Sequence, residues 1–308
     1  MKNTQPLKKL RSKIWLSAII SLVLFVAGAI GFYFGWQQVK KPVLVVLAFH
    51  GVTDKPSFPW EIYPDTLENF LSQFKRYDYL PVDPVSFSEM FQHGFSSRNF
   101  LLTFDDGLKT SAETIKRLFR ERGIKSVFFI VTDLIGKPGY VSAQDISELQ
   151  NSFGCHIALH GKRHYEVTKI INEGHNLTAE LEQARKDLGS ITGNNIEWYA
   201  YPFGDYNASA AACIASTGIK MAFTIDGTDI SEASDRMLIP RVMYLKGAKE
   251  AGEADPADWT PPRSAGTGSL TITLSILVVF FGMSWLLKAM MFARTLKQSE
   301  GVEKQGNL

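Results

Sequence analysis

Between Pro42 and about Lys246 the sequence predicts an α/β domain on a parallel sheet, closed as a barrel or doubly wound. Two observations carry this. Short apolar, β-branched runs alternate with stretches of helical periodicity. The residues that bear chemistry, His50, Asp105, Asp106, His160, His164 and the Pro202-Phe203-Gly204 turn, also fall at the carboxyl ends of those runs. Parallel α/β sheets gather their sites there.

The elements follow in order. Val43–Phe49 is a continuous apolar run that ends at His50-Gly51, and Thr66–Tyr77 carries Leu67, Phe70, Leu71 and Phe74 on one helical face. Phe100–Phe104 is a strand, and Ser111–Arg122 is a helix stopped by Gly123. Ser126–Val131 is a strand, Ser142–Phe153 a helix with a serine cap, and Cys155–Leu159 a strand. Thr178–Thr192 and Ala208–Thr217 are helices on either side of the strand Ile196–Tyr201, and Ile219–Ile225 and Met237–Met243 close the series.

At 308 residues the chain has room for one large domain or two small ones, and its net charge of +2 carries no nucleic-acid footprint. Cys155 and Cys213 lack metal-type spacing and are read as free thiols. Residues 14–36 run without a charge, long enough to cross a bilayer, with Trp15, Tyr33 and Trp36 as interfacial anchors. A cleaved signal peptide competes for this run, with Ala27-Gly28-Ala29 as its cleavage site, but the apolar stretch continues past it. Residues 269–287 form a second uncharged run. Lysine and arginine crowd residues 1–13 and recur over 288–308, which predicts both termini in the cytoplasm and residues 42–245 outside it, with 246–268 as a flexible linker. The few residues between Trp36 and the first strand reach about 20–25 Å when extended, which would keep the domain near the bilayer. Asn176-Leu177-Thr178 and Asn207-Ala208-Ser209 read as glycosylation sequons, relevant only in a eukaryote.

A catalytic Zn²⁺-type site uses about three protein ligands and keeps a position open. Asp106, His160 and His164 supply one oxygen and two nitrogens, and the four-residue step between the histidines is expected to put both rings on one side of a helical turn. Asp105 directly precedes a ligand and is placed to accept a proton from the attacking water. His156 is read as a satisfied histidine of the barrel interior rather than a fourth ligand, and Asp205 as a helix cap. Arg241 either pairs with Asp105 or joins a surface ion pair.

Thr103-Phe104-Asp105-Asp106-Gly107, His160-Gly161-Lys162-Arg163-His164 and Tyr201-Pro202-Phe203-Gly204 together resemble the polysaccharide deacetylase family, the NodB-like carbohydrate esterases, over roughly Val43 to Tyr244. Val46–Val52 and Ala200–Tyr206 are similar to the branch that contains poly-N-acetylglucosamine deacetylases. The resemblance implies a distorted (β/α) barrel of the NodB type, here flanked by two transmembrane helices. It also implies metal-dependent removal of N-acetyl groups from hexosamines of an extracytoplasmic polysaccharide or glycolipid. In this reading Asp105 is the general base, and Asp106, His160 and His164 hold a divalent metal ion, Zn by default with other first-row ions fitting. His50 is the candidate acid, the backbone N–H near Phe203 faces the oxyanion, and Tyr201 and Arg241 complete the oxyanion and substrate group.

Three departures stand out: Gly161 where the family has serine or threonine, Ala200 where many members carry arginine, and Leu238-Ile239-Pro240-Arg241 in place of a late Leu-x-His segment. The expected location is the bacterial cytoplasmic membrane, multi-pass, with an N-acetylated glycan or glycolipid as partner and no nucleic acid. Two alternatives stay open: a deacetylase or deformylase of a lipid-linked sugar, and a non-catalytic sugar-binding module of an exopolysaccharide assembly.

Overall fold

A computed structural model describes residues 5–39, 43–95, 97–227, 230, 234–244 and 253–254. Pro42–Pro262 forms one compact unit. The other unit includes helix α1, Gln5–Val39. Among the described residues no helix is long and apolar enough to cross a membrane. Within the uncharged run 14–36 the described side chains are those of 15–16 and 18–33. The second span at 269–287 and the tail at 288–308 lie outside the described residues, as does the 246–268 linker except for residues 253–254.

The compact unit runs β1 (Val43–Phe49), α2 (Pro64–Arg76), β2 (Leu80–Pro81), α3 (Pro84–His93), β3 (Arg98–Phe104), α4 (Lys109–Arg122), β4 (Ser126–Ile130), α5 (Ala143–Phe153) and β5 (His156–Leu159). It continues through α6 (Val167–Asn172), α7 (Leu177–Thr192), β6 (Trp198–Ala200), α8 (Ala208–Ser216), β7 (Met221–Phe223), β8 (Val242–Tyr244) and β9 (Glu253–Ala254). The strands pair in parallel in the order β7-β6-β5-β4-β3-β1-β8-β9, with β2 beside β3. The ladder ends at β7 and β9, so the distorted barrel expected is a curled parallel half-barrel. The gap is narrowed by Ile239, whose N–H donates to the Ala222 carbonyl at 2.8 Å and whose carbonyl accepts from Thr224 N–H at 2.8 Å. Those bonds tie the chain before β8 to β7, which explains why β8 starts at Val242 and not near Met237.

Both faces of the strands are buried, so they read as unbroken apolar runs. Val45, Leu47, Phe49, Phe100, Leu102 and Phe104 face the outer helices, where α2 packs Leu67, Phe70, Leu71 and Phe74. Leu44, Val46, Leu101, Val127, Phe129 and Ala158 face inward. Helix α3 fills that interior with Phe87 and Phe91, and Phe87 meets Trp198 at 5.7 Å. Sequence periodicity did not find this ten-residue helix, although Asp83 caps it by accepting from Val85 and Ser86 N–H and Pro84 opens it.

His156, Ala158 and His160 share the inward face by strand alternation. His156 lies at the amino end of β5, where its ring sits 4.4 Å from that of Trp198 and its Nε2 has no hydrogen-bond partner among the described residues. It is a packed interior histidine. Burial depresses its pKa from 6.5 to about 4, against the weaker opposing pull of Glu197. A histidine depressed on folding contributes stability above its unfolded pKa, and that contribution is lost as pH falls toward the folded value. Between pH 7 and about 4 the thermal midpoint of the wild type should therefore fall more steeply than that of His156→Phe. Parallel slopes in a pH series of melting curves would remove His156 from the account.

Candidate active site

The same alternation that builds the interior builds the site. Leu44, Val46, Ala48 and His50 share the inward face of β1; Leu101, Thr103 and Asp105 share that of β3. Asp105 N–H donates to the Phe49 carbonyl at 2.9 Å and His160 N–H to that of Ile130 at 2.8 Å. Each ladder is thus extended one residue past its strand, which fixes where these side chains leave the sheet.

Asp105 is 3% exposed and Arg241 fully buried beside it. The guanidinium donates from both terminal nitrogens to the carboxylate, NH1 to Oδ1 at 2.7 Å and NH2 to Oδ2 at 2.8 Å. Its Nε donates to the Thr224 carbonyl at 3.1 Å, and NH1 also reaches Thr103 Oγ1 at 3.0 Å. Burial alone would push the Asp105 carboxyl up. The Arg241 charge and then His160 outweigh it and hold the group well below the usual carboxylate range. Of the two roles left open for Arg241, it takes the pairing one. It clamps Asp105 and lines the same cavity.

The φ of Asp106, 70°, and that of Gly107, 76°, are both left-handed, so the Asp106 carboxylate enters the same cavity as that of Asp105 instead of alternating to the opposite face. Asp106 Oδ1 lies 3.2 Å from His164 Nε2 and 3.5 Å from His160 Nε2. His160 Nδ1 is 2.9 Å from the Ala200 carbonyl, so that nitrogen carries the proton and Nε2 presents its lone pair to the site. The histidines do not share a helical turn. His160 to His164 is a loop in which Gly161 (φ 81°) and His164 (φ 58°) are left-handed. Gly161 answers a backbone requirement there that serine or threonine would meet only with strain. Burial, then His160, depresses the His164 pKa to about 4 and keeps that ring neutral, as a ligand must be.

Asp106, His160 and His164 place three ligand atoms within 4.8 Å of one another, and Asp106 Oδ1 is buried with no hydrogen-bond partner among the described residues. An orphaned carboxylate oxygen facing two imidazole nitrogens fits a divalent cation.

The other expected site residues divide. His50 lines the cavity with Nε2 4.0 Å from Asp106 Oδ2, and Ser111 Oγ donates to its carbonyl. Phe203 has φ 59°, and its ring lies 4.5 Å from that of His164. The bonds that close its turn run from Gly204 N–H to the Tyr201 carbonyl and from Asp205 N–H to that of Pro202, and neither uses the Phe203 N–H. Tyr201 lines the cavity too; it packs with Tyr199 in the outer core cluster, and its phenol donates to the Met237 carbonyl at 2.9 Å. Asp205 Oδ2 accepts from Thr168 N–H at 2.8 Å at the start of α6, while Asn207 caps α8 and Asn176 caps α7.

The cavity holding this set measures about 720 Å³ and is also lined by Phe58, Trp60 and Tyr140. Sequence reading missed these and missed Thr103, whose place on the Leu101-Thr103-Asp105 face was a period-two signal.

A parallel α/β half-barrel carries a clamped carboxylate and a His/Asp donor set at its strand ends. Residues 93–222 match the model of the polysaccharide deacetylase family. It is 21% identical over 215 residues to YxkH of Bacillus subtilis, covering 69% of this chain and 75% of that protein. It is 22% identical over 167 residues to the poly-beta-1,6-N-acetyl-D-glucosamine N-deacetylase of Staphylococcus aureus, covering 51% of this chain and 58% of that one. The chain thus matches little more than half the length of the staphylococcal relative. Among solved structures, IcaB from Ammonifex degensii superposes with TM-score 0.59 at 22% identity, over 66% of this chain and 92% of that one. The Streptococcus pyogenes deacetylase PplD gives TM-score 0.58 at 18% identity over 66% and 92%.

Breaking a buried pair strands a charge. Arg241→Met should lower unfolding free energy by about 3–5 kcal/mol, with Arg241→Lys losing less because it keeps the charge without the fork. Urea unfolding followed by tryptophan fluorescence measures this, and a loss under about 1 kcal/mol would contradict the clamp.

Proposed function

We propose that this chain is a metal-dependent deacetylase that removes N-acetyl groups from hexosamine residues of an extracytoplasmic glycan. The supporting observation is the convergence of the Asp105–Arg241 clamp and the Asp106/His160/His164 donor set in one cavity. Similarity to the staphylococcal poly-N-acetylglucosamine deacetylase supports the substrate class.

Asp106, His160 and His164 would hold the ion, with Zn²⁺ suited to two imidazoles and a carboxylate. Such an ion polarises the acetyl carbonyl and acidifies water. Asp105 accepts the proton of the attacking water through lone pairs that the Arg241 fork leaves unused. As water oxygen bonds to the acetyl carbon, negative charge collects on the carbonyl oxygen, and the Phe203 N–H is the donor assigned to it. His50 delivers a proton to the amide nitrogen as the C–N bond breaks, leaving a free amine and acetate. A pure sugar-binding module would need neither a clamped base nor an orphaned ligand oxygen. The uncharged runs 14–36 and 269–287 anchor the chain in the cytoplasmic membrane with residues 42–245 outside.

Two substitutions separate the roles. Asp105→Asn should abolish acetate release from N-acetylglucosamine oligomers while bound metal, measured by mass spectrometry, stays near that of the wild type. His160→Ala should lose the metal. Unchanged turnover in Asp105→Asn would remove it as the base. A panel of acetylated oligomers and lipid-linked sugars, scored separately for acetate and formate, tests the substrate class, and release of formate alone would overturn the deacetylase reading. Carbonate-washed membranes should retain the full chain, and external protease should degrade the domain in spheroplasts. A chain recovered in the wash would end the anchor proposal.

A further inference from the structure

The loop after β1 carries a feature the chemistry above leaves unused. Phe58 and Trp60 stack face to face, ring centroids 4.9 Å apart and planes 3° from parallel, and both line the cavity. They are nevertheless 53% and 38% exposed, so they are not core. The loop that presents them is firmly closed. Thr53 N–H donates to the Ile62 carbonyl and Ile62 N–H to that of Gly51, both at 2.9 Å. Glu61 Oε2 accepts from Ser57 N–H at 2.6 Å and Phe58 N–H at 3.1 Å. Gly51 makes room for this brace, because a Cβ there would meet Glu61 Cγ at 2.9 Å. An aromatic pair held by a braced loop and open to the cavity is a preformed recognition element, with little ordering entropy left to lose.

Its position gives the partner. The pair follows β1, and the 60%-exposed Phe203 follows β6; β3, β4 and β5 lie between them in the sheet. The reacting groups follow β3 and β5. An occupant longer than one sugar ring, centred on those groups, therefore extends toward an aromatic surface. We propose that Phe58 and Trp60 stack against a pyranose ring neighbouring the one deacetylated, so that the site reads a polymer rather than a single sugar. Pyranose rings present a C–H face to which the electron-rich face of an aromatic ring is complementary. The proposal rests on the deacetylase reading. A lipid surface is the competing partner for exposed aromatics, but these rings face the same cavity as Asp105, Asp106 and His50.

Affinity tests the platform independently of turnover. Calorimetry on the detergent-solubilised full chain carrying Asp105→Asn, titrated with β-1,6-linked N-acetylglucosamine oligomers of increasing length, should show affinity rising from monomer to pentamer. Adding Trp60→Ala should weaken pentamer binding about tenfold and flatten that rise, while Trp60→Phe keeps most of it. Length dependence unchanged by Trp60→Ala overturns the proposal. So does an equal loss for the monomer, which would mark the loop as structural. Loss of sedimentation with anionic vesicles, with oligomer binding intact, would assign the pair to a membrane instead. Failure of the parent chain to release acetate while pentamer binding still depends on Trp60 would sink the deacetylase reading and leave the platform standing.

Discussion

The fork between Arg241 and Asp105 is the contact on which the rest of the site depends. Arg241 immediately precedes β8 and Asp105 immediately follows β3, and the guanidinium also bonds the carbonyl of Thr224, just past β7, and the hydroxyl of Thr103. One side chain therefore joins three stretches of backbone around the open side of the half-barrel. A buried ion pair of this kind is poor evidence of stability, since desolvation offsets most of the attraction. Its value is in where it leaves Asp105: ionised, immobile and still able to accept. A carboxylate held so far below its usual range is a weak base, so the base role proposed for it would need an ion in the neighbouring donor set to acidify the water. The clamp and the donor set next to it are thus parts of one device.

Backbone strain is concentrated around the same point. Among the described residues four non-glycine positions have positive φ, and three of them, Asp106, His164 and Phe203, line the cavity. Each is the residue whose side chain or N–H must leave the regular path of a strand end, and the packed sheet beneath holds it there. Strand alternation alone sends consecutive side chains to opposite faces. Left-handed Asp106 breaks that alternation, so two adjacent aspartates serve one cavity with different partners.

Much of this was legible because the sheet is simple. The β1 and β3 runs, the β4 run and the helices closed by Gly123 and Gly193 follow from apolar periodicity and left-handed caps. The Asp-Asp and His-x-x-x-His residues were found by type and by their place at strand ends. What sequence did not carry was distance across the fold. Arg241 lies 136 residues from Asp105, and nothing local distinguishes a clamp from a surface arginine. The partner of the Tyr201 phenol was also distant in sequence: it donates to the Met237 carbonyl, 36 residues on. The helical reading of His160–His164 took spacing for conformation, where Gly161 and His164 instead bend the loop until both rings reach Asp106. The membrane runs belong to composition alone.

The division between sheet and loops orders what the site can vary. Asp105, His50 and His160 leave the ends of strands whose ladders fix them, and the Ala200 carbonyl that orients His160 is itself backbone. The role Ala200 fills here needs no side chain. Phe58, Trp60 and Phe203 come from loops and turns instead, and they are the exposed apolar groups of the cavity. Chemistry is set by the part of the fold that cannot shift without losing its core. The recognition proposed for Phe58 and Trp60 falls to the part that can change residue without disturbing a strand.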